Sequence, residues 1–262
     1  MGARISYHKQ SVLHVRASGE QRGICRVELN IEVSRRRFSV VQYGMVSLTL
    51  VFAAASYFFV SITGHGLFGV ANLLEVGAEQ SIPTYVSVVN LLLGSALVFL
   101  IYLYEKSTGN PAKKHWLLLS LLFLYLSVDE ACRIHERFAT WHDLLVEKTV
   151  MAPVLETHQW LPFGVFFLVV CSIVFLPFLR QLPRVTRRRF LFAGGIFVGG
   201  AIGIEYLGAV MLEAGMVDSR QDPAYLARRL LEEGMEMYGV VIFNCAVYSE
   251  IQSRNMSVLL RT

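Results

Sequence analysis

Charge is scarce in this sequence: Asp, Glu, Lys and Arg make up 17% of its 262 residues, where soluble domains carry about 25%. So few charged groups cannot clothe a globular surface, which argues against a water-soluble domain. Cysteine is scarce too. Cys25, Cys132, Cys171 and Cys245 include no CxxC pair, which excludes a disulfide framework and a zinc finger. There is no GxSxG elbow, no HExxH, no Walker loop and no GxGxxG following a strand, so serine-hydrolase, zincin and ATP-driven chemistry fall away. Proline is limited to seven residues. Only Pro83, Pro162 and Pro177 fall in apolar runs, which gives little sign of the broken helices of coupled transporters.

What remains is apolar: 54% of the residues are hydrophobic. Residues 39–62, 83–104, 160–179 and 190–212 each read as a spanning helix of about 20 residues or more, the last with Glu205 as its one charge. Two further runs, 116–128 and 237–249, are uncharged for 13 residues each. That is about 20 Å of helix against a hydrocarbon core of about 30 Å. Each becomes long enough only by annexing its acidic flank, SVDEACRIHE (127–136) or EEGMEM (232–237). The expectation is an all-α polytopic transmembrane bundle of about six spans.

Lys and Arg set the orientation, because they collect on the cytoplasmic side of short loops. Of the 24, 18 fall before residue 41, between spans two and three, between spans four and five, or after span six, while residues 63–82 have none. The chain is therefore expected to be N-in and C-in. Its divisions are a basic cytoplasmic tail over 1–38, poorly ordered and without a signal peptide, a six-helix domain over 39–250, and a cytoplasmic tail over 251–262. Residues 25–33 alternate as a strand would, but a lone strand has no partner in view. The net charge of +4 is explained by topology, so no nucleic-acid partner is expected.

Orientation gathers the acids into a layer. Asp129, Glu130, His135 and Glu136 fall at the outer end of span three, Glu232, Glu233 and Glu236 in the first turns of span six, and Glu205 in the outer part of span five. Such groups are costly in hydrocarbon and line cavities or pair with one another. Asp129, Cys132, Arg133 and Glu136 share a helical stripe, as do Glu232 and Glu236. In span five Gly194, Ala201 and Gly208 share the face of Glu205. Gly195, Gly199 and Gly203 form a small-residue stripe suited to a close helix contact, which makes span five the expected centre of the bundle. His65, His142 and His158 read as loop residues.

Ion pairs such as Asp129 with Arg133 and Arg229 with Glu233 would account for part of this layer. They leave a surplus of acid and a mid-helix Glu205 without a local partner. A bound cation supplies the missing charge, and carboxylates with imidazole suit iron, manganese or zinc; protons are the alternative, giving a relay. The Glu-x-x-His pairs of di-iron bundles are absent, and Cys132 with His135 is only a weak ligand pair.

The segments LSVDEACRIHE (126–136) and EEGMEMYGV (232–240) resemble paired motifs, LSxDExxxxHE and EExxEM, of bacterial multi-pass membrane proteins that have no established activity. The resemblance implies a bacterial cytoplasmic (inner) membrane and two helices working together.

The function expected from these residues is a membrane enzyme dependent on a divalent metal and acting on a lipid-soluble substrate. Glu130, Glu205 and Glu233 would be its acid–base groups, and Asp129, His135, Glu136, Glu205, Glu232 and Glu236 the ligands, with Arg133 as a counter-ion. The partners are the lipid bilayer and that substrate or a cation. A proton-coupled or cation transporter, or an accessory subunit without chemistry, would use the same acids.

Overall fold

The computed structural model describes residues 14–17, 24–30, 33–78, 80–135, 137, 160–219, 221–254 and 257–261. The helices are α1 (Arg35–Thr63), α2 (Val70–Leu74), α3 (Ile82–Ser107), α4 (Lys113–Cys132), α5 (Leu161–Gln181), α6 (Arg184–Glu213) and α7 (Pro223–Ser253). Local chemistry starts and stops them. Ser34 Oγ accepts from Arg37 N at the head of α1, and Gly64, at a φ of 67°, closes its end. Ser81 caps α3 ahead of Pro83, and Asp222 Oδ1 accepts from Ala224 N, 2.8 Å away, where Pro223 opens α7.

Five helices, α1, α3, α4, α5 and α6, are long and apolar enough to cross a membrane. The two 13-residue runs do extend through their acidic flanks: α4 runs on past Asp129 and Glu130, and α7 is one helix of 31 residues that contains 232–237. α7 spans about 46 Å by its rise, but Arg228, Arg229, Glu232, Glu233 and Glu236 crowd its first half.

That most polar of the long helices is also the hub. α7 packs against α1, α3 and α6, and it buries residues over most of its length, from Tyr225 to Ile251. The expected centre, span five, is a neighbour of the hub. Gly239 explains the closeness of α6 and α7: a Cβ there would lie 2.8 Å from Phe197 N and 3.0 Å from Ala193 O. Between α3 and α4 small polar residues bond across the interface. Ser127 Oγ donates to Val88 O (2.9 Å), and Ser95 and Ser120 each donate to the other's carbonyl.

Aromatic packing fills the end of the bundle where α4 and α6 begin. The Trp116 ring meets Phe178 edge-on at 5.1 Å, and Phe123 stacks on Phe243 at 4.3 Å. A clasp closes the same end: the Arg254 guanidinium pairs with buried Glu105 and with Glu250 (3.0 Å), Thr186 Oγ1 donates to Glu250 Oε2, and the Trp116 ring lies 5.5 Å away. Arg254→Ala would leave Glu105 buried without its cation. The expected cost is about 1.5–2 kcal/mol of unfolding free energy, read by denaturation in mixed micelles, with part recovered when Glu105→Gln is added.

Three short strands lie outside the helices. β2 (Ile24–Asn30) pairs antiparallel with β1 (His14–Ala17) and with β3 (Ser257–Arg261). The alternating segment near residue 25 thus finds two partners, one just upstream of it and one more than 200 residues away along the chain.

Candidate functional site

The acidic residues meet where α4 ends and α7 begins. At Arg133 the backbone takes a φ of 50°, and its N–H donates to Asp129 O, which stops α4 at Cys132. The stripe expected from Asp129 through Cys132 and Arg133 to Glu136 is therefore broken by a left-handed residue. The reason is visible in the Asp129 carboxylate, whose Oδ1 accepts from His135 N and whose Oδ2 sits 2.8 Å from His135 Nδ1. Asp129 folds the chain back and fixes the imidazole, the role a carboxylate plays behind a working histidine. Cys132 is exposed and lines the same cavity as His135.

On the facing side, α6 carries a π turn over Gly199–Ile204, and Glu205 is the residue that follows it. A π turn adds a residue to the helical repeat and is frequent at functional sites. Here it brings Gly200 against α7: a Cβ on Gly200 would lie 2.8 Å from Glu232 O and 3.1 Å from Glu236 Cγ. Gly195 and Gly203, two of the three glycines of the expected contact stripe, have nothing within 4 Å of a Cβ, and Gly199 meets only the end of Met235.

Glu205 lies at the centre of the contacts that result. Its carboxyl interacts with that of Glu232, and Trp160 Nε1 donates to its Oε1 at 3.5 Å. The Trp160 ring also meets His135 edge-on at 5.0 Å, linking the α4 and α6 groups. Glu232 pairs with Arg228 at 2.5 Å, and Arg228 Nη1 donates to Ile204 O at 3.0 Å. Arg229 reaches Glu75 at 3.4 Å. Glu130, Glu233 and Glu236 interact electrostatically with one another across α4 and α7. Asp129, Glu130, His135, Glu205, Glu232, Glu233 and Glu236 thus come to one region. Among the described residues no three His, Cys, Asp or Glu side chains form a ready ligand set. His65 is exposed, and Glu136, His142 and His158 lie outside the described residues.

These groups occupy one end of a cavity of 1440 Å³ that continues along α5, where Phe163, Phe167, Cys171 and Phe175 form an apolar wall. Among the described residues six carboxylates line it, Asp129, Glu130, Glu205, Glu232, Glu233 and Glu236, against four guanidiniums, Arg133, Arg137, Arg228 and Arg229. Two formal negative charges are left over. A cavity with a wide apolar body and a few polar groups at one end suits an amphipathic ligand.

Sequence reasoning missed Trp160, Gly200 and Arg228. The Arg228 and Glu232 spacing of four residues was a legible signal. Nothing in the residue order marks a π turn. No curated protein and no solved structure matches the chain. A family model described as Domain of unknown function (DUF8692) matches residues 43–251, so the chain belongs to that family.

Proposed function

We propose that this is a six-span, N-in and C-in protein of the bacterial cytoplasmic membrane, whose carboxylate pocket binds a divalent cation at the end of a cleft for a lipid-soluble substrate. The observation that carries this is the continuity of the cavity from the aromatic wall of α5 to a surplus of carboxylates. The interacting carboxyls of Glu205 and Glu232 are the natural seat for the cation, because two carboxyls that face each other favour a proton or a metal between them. Glu236, Asp129 and His135 line the same cavity and would complete the set only by closing on the cation, and Glu130 and Glu233 are the candidate acid and base. Iron, manganese or zinc fits these donors, and a metal would supply Lewis-acid or redox chemistry to the substrate's polar head.

Metal analysis of the purified protein tests this. Stoichiometric metal in the wild type, lost in the Glu205→Gln, Glu236→Gln double variant, is the expected result; no metal, or metal unchanged in that variant, overturns it. The alternative is a proton-coupled or cation transporter, favoured by carboxyls spread over α4, α6 and α7 rather than gathered as a ligand set. Ion or proton uptake into proteoliposomes that disappears in Glu205→Gln would select it.

A further inference from the structure

One polar side chain in the wall of the cavity stands apart from the carboxylates. Asn90, on α3, is fully buried, and neither its Oδ1 nor its Nδ2 has a hydrogen-bond partner among the described residues. Next to it, Asn244 of α7 donates from Nδ2 to Asn90 O (3.0 Å) and towards Gln42 Oε1 (3.5 Å), while its own Oδ1 is likewise unpaired. Ser95, Ser120 and Ser127, buried between α3 and α4, are all bonded. An unmade hydrogen bond in an apolar interior costs a few kcal/mol, and here three unpaired atoms fall in one place.

Depth can be counted from the bonds between helices. Ser127 of α4 bonds to Val88 of α3. Glu130 is three residues beyond Ser127 towards the acidic end, and Asn90 is two beyond Val88 away from it, a separation of about 7–8 Å at 1.5 Å per residue. Along α7, Glu236 and Asn244 are about 12 Å apart by the same rise.

We propose that Asn90, with Asn244 behind it, is a second and uncharged binding station that holds a hydroxyl group carried on the chain of an amphiphile whose cationic head sits among the carboxylates. A hydroxyl both donates and accepts. It can therefore answer the free Oδ1 and the free Nδ2 together, which an ether, a methylene or a metal ion cannot. The required ligand has two polar points roughly 8–12 Å apart joined by an apolar stem, with the stem against the aromatic wall of α5. This rests on the proposal that the carboxylates take a cation, but an ammonium head provides that cation without any metal.

The test uses the full-length protein in nanodiscs with two probes, stearylamine and stearylamine bearing a hydroxyl in mid-chain, and follows their binding through tryptophan fluorescence. Wild-type protein is expected to bind the hydroxylated probe about 10-fold more tightly, the worth of one well-made buried hydrogen bond. Asn90→Leu should bind both probes equally, at the affinity of the plain amine. Equal binding of the two probes by wild type overturns the station while leaving the carboxylate pocket in place; the unpaired amide would then hold trapped water. A preference that survives in Asn90→Leu overturns it as well. If neither probe binds, the cationic-amphiphile ligand itself falls, whereas a metal found in the wild type would still sustain the carboxylate site. The wild-type comparison stands even if the variant does not fold.

Discussion

Replacing Arg228 with alanine is expected to lower the unfolding free energy by about 3–5 kcal/mol, the range for stripping one partner from a buried ion pair. Its guanidinium is 5% exposed, lies 2.5 Å from Glu232 and donates to Ile204 O beside the π turn. It also stands 4.6 Å from the centre of the Tyr225 ring, and a Cβ on Gly208 would lie 2.6 Å from its Cζ. Truncation removes a charge, a bond to α6 and the packing around the long side chain together. Glu232 would then be left buried against Glu205 with no cation at hand. The double variant Arg228→Ala, Glu232→Gln separates these effects. If the stranded charge is the main cost, the double variant regains most of the loss. If lost packing dominates, Arg228→Ala and the double variant are equally unstable. Denaturation in mixed micelles reads both. A change below 1 kcal/mol in Arg228→Ala would mean that the pair is solvated rather than buried.

The sequence makes the long apolar helices plain, because composition alone decides them: α5 buries only Leu161 and Phe178 fully and turns Phe166 and Ile173, each 70% exposed, outward. It is ambiguous about α7 for a physical reason. A helix packed among other helices can carry charge and still be central, and α7 is not among the helices that hydropathy marks as candidate spans. The acids of 129–136 and 232–236 could be read as one layer from topology. Their pairing could not. Asp129 chooses His135 because the chain reverses at Arg133, and a left-handed backbone at an arginine has no signature in residue order. Glu205 is legible as the one charge in its apolar run. Its meeting with Glu232 depends on the π turn.

That turn sets the last expectation, on the glycines of α6 and α7. In a regular helix alanine is more stable than glycine by up to about 1 kcal/mol, so Gly→Ala should stabilise wherever there is room. Gly195 and Gly203 are exposed with nothing near a Cβ, and alanine there should be neutral or stabilising by up to that amount. At Gly200 the new methyl would meet the Glu232 carbonyl at 2.8 Å, and at Gly239 the backbone of Phe197 at the same distance. Backbone cannot rotate aside as a side chain can, so the helices must part. Alanine at either position should cost about 3 kcal/mol, the upper part of the range for overpacking. The two should differ in their effect on the site. Gly200→Ala pushes directly on the segment that presents Glu232 and Glu236 to Glu205, so it should weaken cation binding along with stability. Gly239→Ala pushes on the backbone of Phe197, two turns of α7 from Glu232, and should weaken stability with less effect on the proposed cation. If instead Gly195→Ala and Gly203→Ala prove the damaging pair, α6 follows the uninterrupted register that the glycine spacing suggested, and the contact between Glu205 and Glu232 goes with the π turn.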